Sequence, residues 1–295
     1  INTMSIIDKV VEKARAVESN TRRRISDLND SNASPSTKQS SCNETTSAKN
    51  AKKPRTSRPV SINLGRLRAN GILTPDSVNE SIAADFRSIK RPLLKNAFRA
   101  DTLEVERGNL IMISSAVPEE GKTYVAVNLA ISMAMEMDKK VLLVDADVLR
   151  PSIAELLGVD AELGLTDLLW KDDFELSDYL LKTNIPKLTL LPAGQRHHLS
   201  TELLASGAMS RLTSELAERY SDRVIIFDSP PLLATTEAGV LAGFMGQIVI
   251  VVEAERTSQE NLRKAIEMLD TKAAIGLVLN KDPRRFGQTH YYGSY

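Results

Sequence analysis

A single cysteine, Cys42, set in a polar Ser/Thr/Asn stretch, excludes both an intrachain disulfide and a cysteine metal cluster. A reducing, cytoplasmic setting is the expectation. An excess of charge of either sign is also missing: 38 basic residues stand against 38 acidic ones, which argues against nucleic acid as the principal partner. No run approaches the ~20 consecutive apolar residues of a membrane span. The longest, around Val141–Val144 and Ile248–Val252, are strand-length and end in acids. Membrane association is therefore expected to be peripheral or through a partner. Aromatic residues are scarce at 4%, yet three of the six tyrosines, Tyr291, Tyr292 and Tyr295, fall in the last five positions, where no core pattern requires them.

What is present divides the chain unevenly. Ile6, Ile7, Val10, Val11 and Ala14 recur at helical spacing between charged residues, so 1–18 reads as a segment with one short amphipathic helix. From 19 to 58 the chain is Ser, Thr, Asn and Lys with almost no large apolar side chain, a composition that cannot offset the entropy of ordering. This stretch is expected to be a disordered basic linker, either a solvated tether or attracted to an anionic surface. After Pro59 apolar residues return. Ile82, Phe86, Ile89, Leu93 and Leu94 form a stripe on a helix over about 78–96 that Pro92 should bend or interrupt.

From residue 109 the pattern changes to short, nearly continuous apolar runs: 110–113, 141–144, 188–191, 224–227, 247–252 and 276–279. Helical segments at 121–137, 200–219 and 258–269 separate them. Continuous runs suit strands buried on both faces, and their alternation with helices implies a parallel α/β sheet over 59–281. Residues 282–295 remain as a flexible tyrosine-rich tail.

The strongest chemical signal is Ala116-Val117-Pro118-Glu119-Glu120-Gly121-Lys122-Thr123, which follows the first core strand and opens the helical segment 121–137, with Tyr124 next. That is the setting of a P-loop: backbone amides and a helix N-terminus face phosphates, the Lys122 ammonium reaches the β and γ groups of ATP, and the Thr123 hydroxyl ligates Mg2+. Ala116 replaces the usual first glycine, which is tolerable if its φ is negative. Val141–Val144 leads into Asp145-Ala146-Asp147, and Val224–Phe227 leads into Asp228-Ser229-Pro230-Pro231. Ligands of open α/β sheets bind outside the carboxyl ends of strands, where these acids fall. Hard carboxylate oxygens suit magnesium.

These motifs resemble the P-loop, second Walker A-type motif and Walker B motif of the bacterial tyrosine kinases (BY-kinases) of polysaccharide biosynthesis. Gly164-Leu165-Thr166-Asp167-Leu168-Leu169, Leu191-Pro192-Ala193-Gly194 and Glu202–Ser206 add to the likeness, which covers 59–295. Phe86–Leu94, with the short N-terminal helix on a polar linker, is most similar to the exosortase-associated (XrtA-type) branch. The resemblance implies a P-loop NTPase of the deviant Walker A type, related in fold to MinD and ParA.

It further implies an ATP-dependent protein-tyrosine autokinase acting in exopolysaccharide synthesis. Lys122, Asp145 and Asp147 would be catalytic. Residues 117–124 and Asn280 would line the nucleotide, Asn280 either touching adenine or merely ending a strand. Thr123, Asp145 and Asp228 would hold the metal, and Tyr291, Tyr292 and Tyr295 would accept phosphate. An inner-membrane polysaccharide chain-length regulator would act as activator of a homo-oligomer. Two departures stand out. Leu149 occupies a position where the family usually has arginine, with Arg150 next to it. The Glu-x-x-Arg-x-x-Arg ring-assembly pattern survives only as Ala84, Arg87 and Lys90, with Asp85 one place out of register. The rival reading is a partition- or division-site ATPase switch, but Val117 stands where such proteins usually carry a second lysine. His197, His198 and His290 have no metal-ligand spacing.

Overall fold

The computed structural model describes residues 57–76, 80–98, 105–171, 175–220 and 222–283. The expected N-terminal helix, the linker up to residue 56 and the tail from 284 onward lie outside the described residues. In chain order the elements are β1 (Arg58–Val60), α1 (Leu64–Ala69), α2 (Glu80–Phe98), β2 (Leu110–Ser115), α3 (Lys122–Ala134), β3 (Lys140–Asp145), α4 (Ile153–Leu157) and α5 (Leu165–Trp170). They continue as β4 (Leu181–Thr183), β5 (Leu188–Leu191), α6 (Ser200–Leu204), α7 (Gly207–Arg219), β6 (Arg223–Asp228), α8 (Thr236–Ala242), β7 (Gln247–Glu253), α9 (Gln259–Glu267) and β8 (Ala274–Asn280). Strand β1 starts inside the stretch assigned to the linker, because Arg58 pairs with Leu181 of β4.

One sheet carries all eight strands in the order β1-β4-β5-β3-β6-β2-β7-β8. Every neighbouring pair is parallel except β4 with β5. The six apolar runs are the strands β2, β3, β5, β6, β7 and β8. Strands β2, β3 and β6 are buried along almost their whole length because helices cover both faces. The short β1 and β4, of three residues each, had no apolar run to announce them.

Helix α3 sits deepest. Its buried residues run from Val125 through Ala134 without a polar face, since the sheet lies on one side and α2 on the other. Phe86 and Leu93 of α2 close that layer. Lys90 is buried there too: its ammonium donates to the Ser132 carbonyl at 2.8 Å and pairs with Glu136 at 2.6 Å. The last position of the partial ring-assembly pattern is thus engaged within its own subunit.

Two helix expectations are corrected. α2 runs on through Pro92, so of the bend or interruption expected there the interruption is excluded. The proline and Ser88, whose carbonyl loses its intrahelical donor, are both exposed, so solvent can serve that carbonyl while Leu93 stays buried. The segment 200–219 is two helices, because Ser206 leaves helical geometry and its hydroxyl accepts from the Met209 amide to start α7.

The Gly164 and Gly194 motifs meet at the carboxyl edge of the sheet. Leu165 N donates to Pro192 O at 2.7 Å and Thr166 N to Ala193 O at 2.9 Å. Asp167 accepts from Gly164 N at 2.9 Å and Gln195 N at 3.1 Å. A Cβ at Gly164 would collide with the backbone of Pro192 and Gly194. Gly164→Ala is therefore expected to cost about 2–4 kcal/mol, the scale of a strained, overpacked backbone contact. Denaturant titration checks it; a loss below about 0.5 kcal/mol would show that the two loops separate freely.

Candidate active site

The loop 116–123 joins β2 to α3, and its shape depends on two left-handed residues, Glu119 (φ 70°) and Gly121 (φ 93°). Gly121 is required twice over: its φ suits glycine, and a Cβ there would run into the Asn280 amide. Ala116 is buried and is absent from the positive-φ positions, so the missing first glycine is accommodated. Glu120 is buried and braces the loop from inside. One of its oxygens accepts from Val117 N at 2.8 Å, and the other accepts from the Thr257 hydroxyl. Pro118 and Glu119 are exposed at the tip. Tyr124 turns away from the loop, donating its hydroxyl to Gly71 O at 2.9 Å. Its ionisation is pushed up by partial burial and by the nearby Asp85 carboxylate.

At the start of α3, Lys122 and Thr123 meet the three carboxylates. The ammonium lies 2.7 Å from Asp147 Oδ2 and 3.8 Å from Asp228 Oδ1. The Thr123 hydroxyl donates to Asp228 Oδ2 at 2.6 Å. Asp145 and Asp228 are opposite each other in the parallel register of β3 and β6. Asp145 Oδ2 accepts from the amides of Ser152 and Ile153 at 3.2 and 3.0 Å, the N-terminus of α4. Asp147 Oδ1 accepts from Arg150 N at 3.1 Å. The Arg150 side chain is exposed, while Leu149 offers its carbonyl to the Arg196 guanidinium.

Burial decides the electrostatics. Desolvation, and then the facing Asp228 carboxylate, push Asp145 up to about 8. Desolvation raises Asp228 to about 6, against the pull of Lys122 and the Thr123 hydroxyl. Burial pulls the Lys122 ammonium down, but the surrounding Asp228, Asp147 and Asp145 outweigh it and hold it charged.

The donor set fits magnesium. Asp145 Oδ1 and Asp228 Oδ1 are buried without a hydrogen-bond partner, beside a threonine hydroxyl, so two hard oxygens wait for a cation. Among the described residues no group of three or more His, Cys, Asp or Glu forms a metal cage. Magnesium does not need one, since it keeps waters and shares its shell with phosphate oxygens.

All five residues expected at the P-loop and strand ends, Lys122, Thr123, Asp145, Asp147 and Asp228, therefore converge. Asn280 lies against the loop backbone, its amide donating to Glu120 O at 2.9 Å. Tyr291, Tyr292, Tyr295 and His290 lie outside the described residues. His197 stacks on Trp170 at 4.7 Å, away from the carboxylates. Ser152 went unnoticed: its hydroxyl is 3.0 Å from that of Thr123. The Ser152-Ile153-Ala154-Glu155 pattern has capping-box form and would have flagged a helix start there. Thr257, Glu253 and Lys281, which brace the loop from distant segments, carried no local signal.

Comparison with known proteins places this geometry. The model of an AAA domain matches residues 109–278. The tyrosine-protein kinase YwqD of Bacillus subtilis is 34% identical over 187 residues, 62% of this chain and 77% of that protein. The chain spans only about a quarter of the length of two other relatives, the tyrosine-protein kinase ptk of Acinetobacter johnsonii and the putative tyrosine-protein kinase EpsB of Ralstonia nicotianae. Among solved structures, the kinase domain of the Escherichia coli tyrosine kinase ETK superposes with a TM-score of 0.63 at 28% identity, covering 75% of this chain and 83% of that one. The septum site-determining protein MinD of Pyrococcus horikoshii, complexed with Mg-ADP, gives a TM-score of 0.51 at 26% identity, covering 59% of this chain and 71% of that one.

The buried acids set a pH dependence. Below the ordinary carboxyl value of 3.8, folded and unfolded chains both hold these protons. As pH rises the unfolded chain ionises first, while the fold keeps Asp228 protonated to about 6 and Asp145 to about 8. Stability contributed by the raised groups is therefore lost through that window. With EDTA present, the melting temperature is expected to be lower at pH 8 than at pH 5.5, and a paired Asp145→Asn, Asp228→Asn change should flatten the slope. A parent whose melting temperature holds steady or rises over that range would contradict this account.

Proposed function

The chain belongs to the family of bacterial tyrosine-protein kinases, and we propose that it transfers the γ-phosphoryl group of ATP to Tyr291, Tyr292 and Tyr295 of its own C-terminal tail. The observation that carries this reading is the convergence of Lys122, Thr123, Asp145, Asp147 and Asp228 at the carboxyl edge of the sheet. The tail supplies the acceptor: three tyrosines within five residues, on a chain that spans on the order of 45 Å from Lys281 when extended.

Lys122 would leave Asp147 for the β and γ phosphates, cancelling charge that grows on the transferred group. Amides of the loop and of the α3 N-terminus would hold the remaining phosphate oxygens. A tyrosine hydroxyl, with an ordinary pKa near 10, needs a proton acceptor at neutral pH. Asp145 and Asp147 would fill that role, and the raised proton affinity of Asp145 puts it near the working pH. Magnesium, held by Thr123 with Asp145 and Asp228, would neutralise the phosphates when bound.

Control belongs to the same proposal: an inner-membrane polysaccharide chain-length regulator as activator, in an exopolysaccharide system of the exosortase-associated branch, with the kinase peripheral to the membrane. No helix among the described residues is long and apolar enough to cross a membrane. Oligomerisation would use contacts other than Lys90, with Arg87 exposed on the same helix. The MinD likeness keeps an ATPase switch as the second reading. Phosphotyrosine in the protein after incubation with ATP and magnesium, read by mass spectrometry, decides between them.

Transfer between subunits has its own test. Lys122→Met protein with an intact tail is expected to become labelled when mixed with active protein whose Tyr291, Tyr292 and Tyr295 are all Phe, and neither should be labelled alone. Asp145→Asn in the active partner should slow labelling by at least ~100-fold, the scale of losing a general base. A mixture that stays unlabelled, at concentrations where wild-type protein labels itself, would refute transfer between subunits.

A further inference from the structure

A P-loop binds phosphate through peptide N–H groups, so its competence depends on which way each peptide plane faces. In a trans peptide the C=O of one residue and the N–H of the next point in opposite directions. Turning a carbonyl outward therefore turns the following amide inward. In this chain two consecutive carbonyls of the loop are caught from outside. Lys281 Nζ donates to Glu119 O at 2.6 Å, and Asn280 Nδ2 donates to Glu120 O at 2.9 Å. The amides that follow belong to Glu120 and Gly121, immediately before Lys122.

The clamp is itself anchored. Asn280 ends β8, where its own carbonyl accepts from Ala254 N at 2.9 Å. Lys281 adopts φ 56°, a turn that directs the chain out of the strand. Its ammonium also pairs with Glu253 at 3.1 Å, and Arg256 bridges Glu253 at 3.3 Å to Glu119 at 3.7 Å. The ends of β7 and β8 thus grip the loop tip at the two peptides bracketed by its left-handed residues.

We propose that Asn280 and Lys281 are positioning residues for the phosphate cradle, orienting the Glu120 and Gly121 peptides so that their N–H groups face the diphosphate. The assignment rests on the reading of 116–123 as a nucleotide loop. It gives Asn280 a role distinct from an adenine contact, and it gives Lys281 a role that nothing in its immediate sequence announces.

Calorimetric titration of the full chain with ADP, pyrophosphate and adenosine separates these roles. Asn280→Ala and Lys281→Met are each expected to weaken ADP and pyrophosphate by the same factor, about 10-fold, the scale of losing one orienting hydrogen bond. Adenosine affinity should be unchanged, and Lys281→Arg should stay within about threefold of wild type. Asn280→Ala changes no charge, so equal losses in the two variants exclude simple attraction between the lysine and the ligand. Should Asn280→Ala fail to fold, Asn280→Ser takes its place as the neutral variant, beside Lys281, whose side chain is 44% exposed. Loss of ADP with pyrophosphate unchanged would overturn the proposal in favour of an adenine contact, and unchanged affinity for both would overturn it outright. Wild-type protein that binds neither ADP nor pyrophosphate would instead refute the nucleotide loop on which the proposal stands.

Discussion

Strands β3 and β6 lie side by side in register, and that register leaves Asp145 facing Asp228 in a place almost closed to water. Two facing carboxylates with a third, Asp147, nearby would be untenable if all were ionised and unattended. Their surroundings consist of partial answers to that problem. Among the described residues Lys122 is the one cation paired with these carboxylates. The amides at the start of α4 face Asp145, and the Thr123 hydroxyl faces Asp228. Three acids and one lysine still leave a deficit, which the fold eases by raising the proton affinity of both strand-end acids, Asp145 further than Asp228. A divalent cation would bring the missing positive charge, the more so once nucleotide phosphates draw Lys122 away from Asp147.

The loop that would receive the nucleotide solves a different problem, the holding of an irregular backbone without ligand. Glu120 works from within, capturing Val117 N and Thr257, while β7 and β8 work from outside through Glu253, Asn280 and Lys281. Behind it α3 offers no freedom, being packed between the sheet and α2.

Much of this was legible before any coordinates, for reasons that can be named. Six continuous apolar runs became six strands; in β2, β3 and β6 burial on both faces removes alternation, whereas β8 at the sheet edge leaves Leu277 and Leu279 exposed. The P-loop lysine and the strand-end acids were readable because their chemistry requires fixed local spacing. What escaped depended on tertiary partners. β1 and β4 are too short to have a pattern, and the antiparallel β4–β5 pair departs from the parallel sheet expected because β4 is not one of the six runs on which that expectation rested. Pro92 failed to break α2 since its cost falls on a solvated face. Ser206 split a segment that read as one helix. Ser152 and Lys281 are read only when the fold brings them to Thr123 and Glu119, far away along the chain. The segments 1–18 and 284–295, on which the membrane and substrate readings lean, are outside the described residues.

Strand β8 ends at the same edge of the sheet as the P-loop, and the chain departs from Lys281 while that residue holds the loop tip. On the proposed autokinase reading, a segment tethered there would reach nucleotide-loaded sites at an effective concentration set by tether length, in the millimolar range if the link is short and flexible. Under that arrangement a tyrosine needs no pocket that recognises its neighbours in sequence. Selectivity becomes a property of attachment. The residues around each tyrosine would then be free to vary, while the length between Lys281 and the acceptor would not.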